Sequence, residues 1–104
     1  MTTFAALADP TRASILDALA ARPRTVNEIV GMFSISQPSI SRHLKVLREA
    51  ELVTVEKDGR CRIYRLNPAP LREVDRWLAR YRRFWSSRLD ALEEHLDETA
   101  EETP

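Results

Sequence analysis

The sequence has few of the residues on which catalysis, disulfide bonding or membrane insertion would depend. One cysteine, Cys61, cannot form a disulfide within the chain, and two glycines cannot make a glycine-rich phosphate loop. No apolar run approaches the ~20 residues that span a bilayer, and no basic leader with an apolar core opens the chain. We therefore expect a cytoplasmic protein that is not an enzyme, with no catalytic residue, no cofactor, no bound metal and no membrane partner.

The net charge of zero conceals two oppositely charged parts. Residues 1–88 contain all 16 Lys and Arg and 9 acidic residues, for a net charge of +7, whereas residues 89–104 contain 7 acidic residues and no Lys or Arg, for −7. The basic part favours an anionic partner. With 104 residues we expect one domain over 1–104 that ends in a fraying acidic tail at 98–104.

Residues typical of helix starts divide the first half of the chain into four short helices. Asp9 precedes a first-turn proline, and Thr25 precedes Glu28 by three residues, as a capping box requires. Ser36 is a further N-terminal cap, and it predicts a helix over about residues 37–49.

In the second half the apolar periodicity changes from helical to alternating. Asp58-Gly59 lies between two alternating runs and predicts a hairpin over about residues 53–66, joined by a type I′ turn. Helical periodicity returns over about residues 71–97. The predicted fold is mainly α with a small β-hairpin, a winged helix-turn-helix in the order α-α-α-α-β-β-α.

The predicted helix 37–49 has one apolar stripe, formed by Ile40, Leu44 and Leu47. Its other side carries hydroxyls and cations, with no acidic residue before Glu49. A major groove admits such a helix, so we predict a recognition helix that binds double-stranded DNA together with the basic wing. A partly buried structural role stays open for His43. The predicted DNA-binding residues are Ser36, Gln37, Ser39, Ser41, Arg42, His43, Lys45, Lys57, Arg60 and Arg62.

The last predicted helix presents more apolar surface than one small domain can cover. Two tryptophans, a tyrosine and a phenylalanine lie within residues 77–85. Folding back onto its own core would cover part of this surface, and a symmetric homodimer through the terminal helices would bury more. Two recognition helices could then reach successive major grooves about 34 Å apart. The predicted interface residues are Phe4, Leu7, Leu78, Tyr81, Trp85, Leu89 and Leu92.

Three segments, within about residues 4–67, resemble the ArsR-type (ArsR/SmtB) transcriptional repressors: Ala6–Arg12, Gln37–Leu47 and the wing with its Gly59-Arg60. The resemblance implies a homodimeric winged-helix repressor that occupies a promoter operator. The chain departs from the family pattern at Ala50-Glu51, where Ala-Gly is common. Either Glu51 adopts the left-handed conformation, at a cost of about 1 kcal/mol, or the helix ends differently.

Metal-sensing members of this family carry paired cysteines in the helix at 26–33, or acidic and histidine ligands on the last helix. This chain has no cysteine at 26–33, and His95 is the one histidine of its last helix, so it resembles the subgroup without metal sites. Its effector is unknown. One alternative is a metal- or redox-responsive sensor with a non-standard site, for which Cys61 between two arginines is a candidate thiol. Another is a winged-helix module that binds proteins and has no affinity for DNA.

Overall fold

The computed structural model describes residues 2–102, with the side chains of residues 3–96. It confirms a mainly helical winged helix-turn-helix fold. The described residues up to Leu71 form one compact unit, and those from Arg72 onward form a second. The elements are α1 (Thr2–Leu7), α2 (Pro10–Ala21), β1 (Arg24–Thr25), α3 (Val26–Met32), α4 (Gln37–Glu49), β2 (Val53–Asp58), β3 (Cys61–Leu66) and α5 (Ala69–Glu102).

Side-chain caps start α2, α3 and α4 where the sequence predicts them. The Asp9 carboxylate accepts hydrogen bonds from two backbone amides of the first turn of α2. Thr25 and Glu28 form a complete capping box at α3, and the Ser36 hydroxyl accepts from the amide of Ser39 at α4. These caps satisfy first-turn amides that have no partner within their helices, so they fix where each helix begins.

The core of the first unit lies where α2, α3 and α4 meet the sheet. Each helix contributes side chains spaced three or four residues apart, so its apolar stripe faces inward. The buried apolar side chains of this core are Ala6, Ile15, Leu16, Leu19, Ile29, Ile40, Leu44, Leu47, Ala50, Leu52, Val53 and Tyr64. Because Ile40, Leu44 and Leu47 anchor one side of α4, its opposite side faces outward.

The C-terminus of α4 ends in a left-handed turn at Glu51, whose φ is 60°. The amide of Leu52 donates to the carbonyl oxygen of Leu47 over 2.9 Å. The amide of Glu51 donates to the carbonyl oxygen of Arg48 over 3.0 Å. This is a Schellman motif, in which glycine is the preferred residue at the left-handed position. Asn67 Nδ2 also donates to the Glu51 carbonyl oxygen, over 2.7 Å. Of the two expectations for this position, the strained cap is therefore the observed one.

The sheet has three antiparallel strands in the order β1-β3-β2, of which β1 was not predicted. Asp58 pairs with Cys61, so the two-residue loop is Gly59-Arg60 and the prediction of a turn centred on Asp58-Gly59 is wrong by one residue. A type I′ turn needs positive φ at both central residues. Here positive φ falls on Gly59, at 62°, while Asp58 keeps an ordinary strand conformation.

Helix α5 is longer than predicted at both ends. Its start is supported by Asn67, whose side-chain oxygen accepts from the amide of Ala69 over 3.3 Å. Its backbone is helical to Glu102, so the first five residues of the tail predicted to fray, 98–102, are helical, and the rest of that tail lies outside the described residues. Within the described part of the chain, no helix is apolar enough over sufficient length to cross a membrane.

Candidate nucleic-acid interface

The outward side of α4 is polar and largely exposed. Gln37, Ser41, Arg42 and Lys45 are exposed, as is the capping residue before them, while Ser39 is half-buried. The Ser39 hydroxyl accepts from Arg42 Nη2 over 3.2 Å. One turn of the helix therefore holds the guanidinium group of Arg42 close to the N-terminus of α4.

Between α4 and β3 lies an open groove of about 590 Å³. Four cationic side chains line it, two from α4 and two from the wing, and none of its lining residues is acidic. Four like charges around one concavity raise the local concentration of anions. The lining residues are Thr25, Val26, Asn27, Gln37, Ser41, Leu44, Lys45, Arg48, Arg60, Cys61, Arg62 and Tyr64.

The wing presents different charges on its two faces. Lys57 lies directly across from Arg62, near the tip, on the face that carries buried Tyr64 nearer the core. On the other face, Arg65 Nε forms an ion pair with Glu56 over 3.4 Å. The face shared with the groove therefore ends in two cations, and the opposite face is partly neutralised.

His43 lies apart from this groove, in contact with α2. It is half-buried, and its Nδ1 is 3.4 Å from Arg12 Nη1. Arg12 also donates to the carbonyl oxygens of Ala6 and Ala5, over 2.8 and 3.0 Å, at the end of α1. This position supports the structural role left open for His43, and a DNA contact by its ring stays a prediction.

The groove includes polar residues that the sequence analysis did not select for DNA binding, among them Arg48 and Asn27. Arg48 follows Ser41 and Lys45 at spacings of seven and three residues, which places all three on one face of α4. That spacing could have predicted Arg48 as a further residue of the polar face of α4. Asn27 comes from α3, and its place beside the wing depends on tertiary packing that no local pattern contains.

The predicted dimer-interface residues lie on two helices. On α1, Phe4 and Leu7 are half-buried. On α5, Leu78 is half-buried, and the others are more open, with exposures of 46% for Tyr81, 38% for Trp85, 57% for Leu89 and 53% for Leu92. Such exposure of large apolar side chains along one helix is typical of an interaction surface.

Among the described residues, no cluster of three or more His, Cys, Asp or Glu side chains could hold a metal ion. Cys61 is exposed and lines the groove beside two arginines.

A tight turn between α3 and α4, followed by a hairpin with cations on the side of α4, defines a winged helix-turn-helix protein. Residues 9–55 match the family of bacterial regulatory proteins described as the arsR family. The chain belongs to the ArsR family, as its sequence predicts. It is a DNA-binding transcriptional regulator, and this class is not an enzyme class.

Individual relatives agree with this assignment. The chain is 38% identical to the transcriptional repressor SdpR of Bacillus subtilis over 75% of this chain and 87% of that protein. It is 37% identical to the HTH-type transcriptional regulator Rv2034 of Mycobacterium tuberculosis over 94% of this chain and 89% of that one. A crystal structure of an ArsR family transcriptional regulator superimposes with a TM-score of 0.74 at 35% identity, covering 83% of this chain and 89% of the other.

Proposed function

We propose that this protein is a cytoplasmic repressor that occupies operator DNA as a homodimer, with α4 in the major groove and the wing against the adjacent backbone. The observation that carries this proposal is the groove between α4 and β3, which has four cationic side chains and no acidic one. A duplex carries one negative charge per ~1.7 Å of its axis, so a surface of this composition is suited to it.

The polar residues of the surface divide into two groups by chemistry. Lys45, Arg48 and Arg62 face a concavity that suits a strand of sugar and phosphate, and phosphate contacts set affinity and register. Arg42 and Gln37 lie near the N-terminus of α4, where side chains reach base edges in a helix-turn-helix complex. An arginine binds guanine through two hydrogen bonds, and a glutamine binds adenine in the same way.

The proposed homodimer is supported by the open apolar side chains of α5. Leu89 and Leu92 are each more than half exposed, although leucine is among the residues that folded proteins most often bury. A second copy with the same surface would cover them through a twofold interface. The dimer would also supply two recognition helices for one operator.

The experiment that tests this function compares wild type with Arg42→Ala on duplexes from the region upstream of the gene for this protein. We expect wild-type affinity to fall steeply as salt rises, because bound phosphates release counterions. For wild type, the binding free energy should favour a duplex that carries the operator over a duplex of scrambled sequence. Arg42→Ala should reduce this difference by about 1–3 kcal/mol, because the contact of Arg42 with a base is lost. Arg22→Ala, on an exposed arginine outside the groove, is the matched control. Affinity that does not change with salt would contradict DNA binding by this surface.

A further inference from the structure

Four arginines form a row along one side of α5. They follow one another at spacings of four, four and three residues, so they share one face of the helix over about 17 Å. This arginine face consists of Arg72, Arg76, Arg80 and Arg83, all of which are exposed. The groove between α4 and β3 is lined by residues between 25 and 64, so the arginine face is a separate basic surface.

The arginine face lies opposite the apolar side of α5. At about 100° per residue, its four side chains point about 140° to 220° away from the direction of Trp85, whereas Leu89 and Leu92 lie within about 40° of it. A second copy that covers the apolar side therefore leaves the arginine face open. A helix in a membrane surface would bury its apolar side in lipid, and cations on the opposite side would then point into water. The arrangement therefore does not favour a lipid partner.

The positive charge of the arginine face is not neutralised within the described part of the chain. None of its four arginines forms an ion pair there, whereas Arg82, on another side of the same helix, pairs with Asp75. Like charges three or four residues apart repel each other and destabilise a helix. The stability of α5 therefore does not explain why arginines recur at these positions, and an anionic partner would explain it.

The cations of α5 are all of the type that binds phosphate through two hydrogen bonds. Residues 72–88 contain six arginines and no lysine. A guanidinium group presents a planar set of donors that matches a phosphate, whereas a lysine presents a point charge. One strand of a duplex carries one phosphate per about 3.4 Å of its axis, so about 17 Å of duplex presents about five phosphates to the four arginines. A row of cations with this length and density suits the backbone of a duplex.

We propose that the arginine face of α5 binds the phosphate backbone of duplex DNA without sequence preference. This inference goes beyond the proposed function, in which the DNA contacts come from α4 and the wing. A row of phosphates is supplied either by a second duplex or by the DNA that flanks an operator. With a second duplex as its source, one homodimer would hold two segments of DNA together.

Capture of a second duplex tests the proposal with the full chain. Protein is loaded onto an immobilised duplex from the region upstream of its gene, and a labelled duplex of scrambled sequence is then added. Combining Arg76→Ala with Arg80→Ala removes half of the arginine face. Combining Arg82→Ala with Arg88→Ala removes two arginines from other sides of α5 and is the matched control. Both variants should stay on the immobilised duplex. Only the first should lose capture, with the slope of log affinity against log salt reduced by about 2.

The length of the immobilised duplex separates flanking DNA from a second duplex as the source of phosphates. If flanking DNA is the source, extending the upstream duplex with scrambled sequence should raise the affinity of wild type and of the control. The variant with Arg76→Ala and Arg80→Ala should gain nothing from the extension, and no second duplex should be captured. Either pattern supports phosphate binding by the arginine face.

Equal capture and an equal gain from flanking DNA in the two double variants would overturn the proposal. Binding of wild type to polyglutamate or to vesicles of anionic lipid, with no duplex captured and no gain from flanking DNA, would overturn it in favour of an acidic protein or a membrane.

Failure of the proposed operator binding is distinguished by a variant that carries Lys45→Ala and Arg62→Ala in the groove. Its remaining affinity for scrambled duplex should still fall when Arg76→Ala and Arg80→Ala are added, and no further fall would overturn the proposal. Circular dichroism and native mass confirm that each variant is folded and keeps the assembly of wild type.

Discussion

The two units of this protein use the same apolar periodicity in opposite environments. In α4 of the first unit, Leu44 and Leu47 are 2% and 0% exposed. In α5, Leu89 and Leu92 follow each other at the same spacing and are 57% and 53% exposed. An apolar stripe therefore predicts that one side of a helix will be covered, and it does not say by what. In the first unit the chain itself provides the cover, and in the second we propose that another copy does.

Alanine substitution at one leucine from each unit should separate these two environments. Leu47→Ala should lower the free energy of unfolding by about 2–5 kcal/mol, because it leaves a cavity in a closed core. Leu89→Ala should instead weaken self-association, so its loss of stability should grow with protein concentration and should be small where both proteins are monomeric. Urea unfolding at several protein concentrations measures both effects. If Leu47→Ala and Leu89→Ala lowered the free energy of unfolding equally at every protein concentration, the proposed difference between the two units would be contradicted.

Within the first unit, two arginines of β3 distinguish the groove from the opposite face of the wing. Arg62→Ala should weaken binding to any duplex and reduce the slope of log affinity against log salt by about 1, because one phosphate contact is lost. Arg65 forms an ion pair with Glu56 on the other face, so Arg65→Ala is the matched control and should leave the slope nearly unchanged. Fluorescence anisotropy over a salt series provides the slopes. A larger loss for Arg65→Ala would mean that the other face of the wing meets DNA.

A substitution at the end of α4 should stabilise the first unit. Glu51 has a φ of 60°, a conformation that costs a residue with a side chain roughly 1–2 kcal/mol. Glu51→Gly should therefore raise the free energy of unfolding by about 1 kcal/mol, seen as a higher Tm. Lys45→Gly, at an exposed position in the interior of the same helix, should lower it by a similar amount, because glycine is unfavourable in a helix interior. Destabilisation by Glu51→Gly would contradict this account of the strain.

The smallest expected effect concerns the caps of α2 and α3. Hydrogen bonds from backbone amides, chiefly the amide of Arg12, lower the pKa of the Asp9 carboxyl. A side-chain hydrogen bond from Arg22 lowers the pKa of the Glu28 carboxyl. Since the folded pKa values are lowered, the stability they contribute is present above the ordinary carboxyl pKa near 4 and is lost as the pH falls through the lowered values. Replacing both residues by Asn and Gln keeps the caps neutral, so Tm should fall less steeply below about pH 4 than in wild type.

Local chemistry made most of the first unit predictable. The Asp9 cap, the Thr25–Glu28 capping box and the Ser36 cap each depend on residues a few positions apart, and each was predicted at the right place. The limits of α4, Gln37–Glu49, were predicted without error for the same reason.

Features that depend on distant partners were not predictable in the same way. β1 has two residues and forms because Thr25 pairs with Ile63, which is far away in sequence. The contact of Arg12 with His43 and the position of Asn27 beside the wing also require the folded chain. For α5, the apolar residues were visible in the sequence, but how far their side chains stay exposed is known only from the folded chain.

The most direct test of the central claim is the number of chains on one duplex, measured by native mass spectrometry. The probe is a duplex of about three helical turns, from the region upstream of the gene for this protein. Our account predicts two chains of 12.0 kDa per duplex at low occupancy, with no population carrying a single chain. Single chains bound with high affinity, or wild-type protein that leaves the duplex free at low salt, would contradict it.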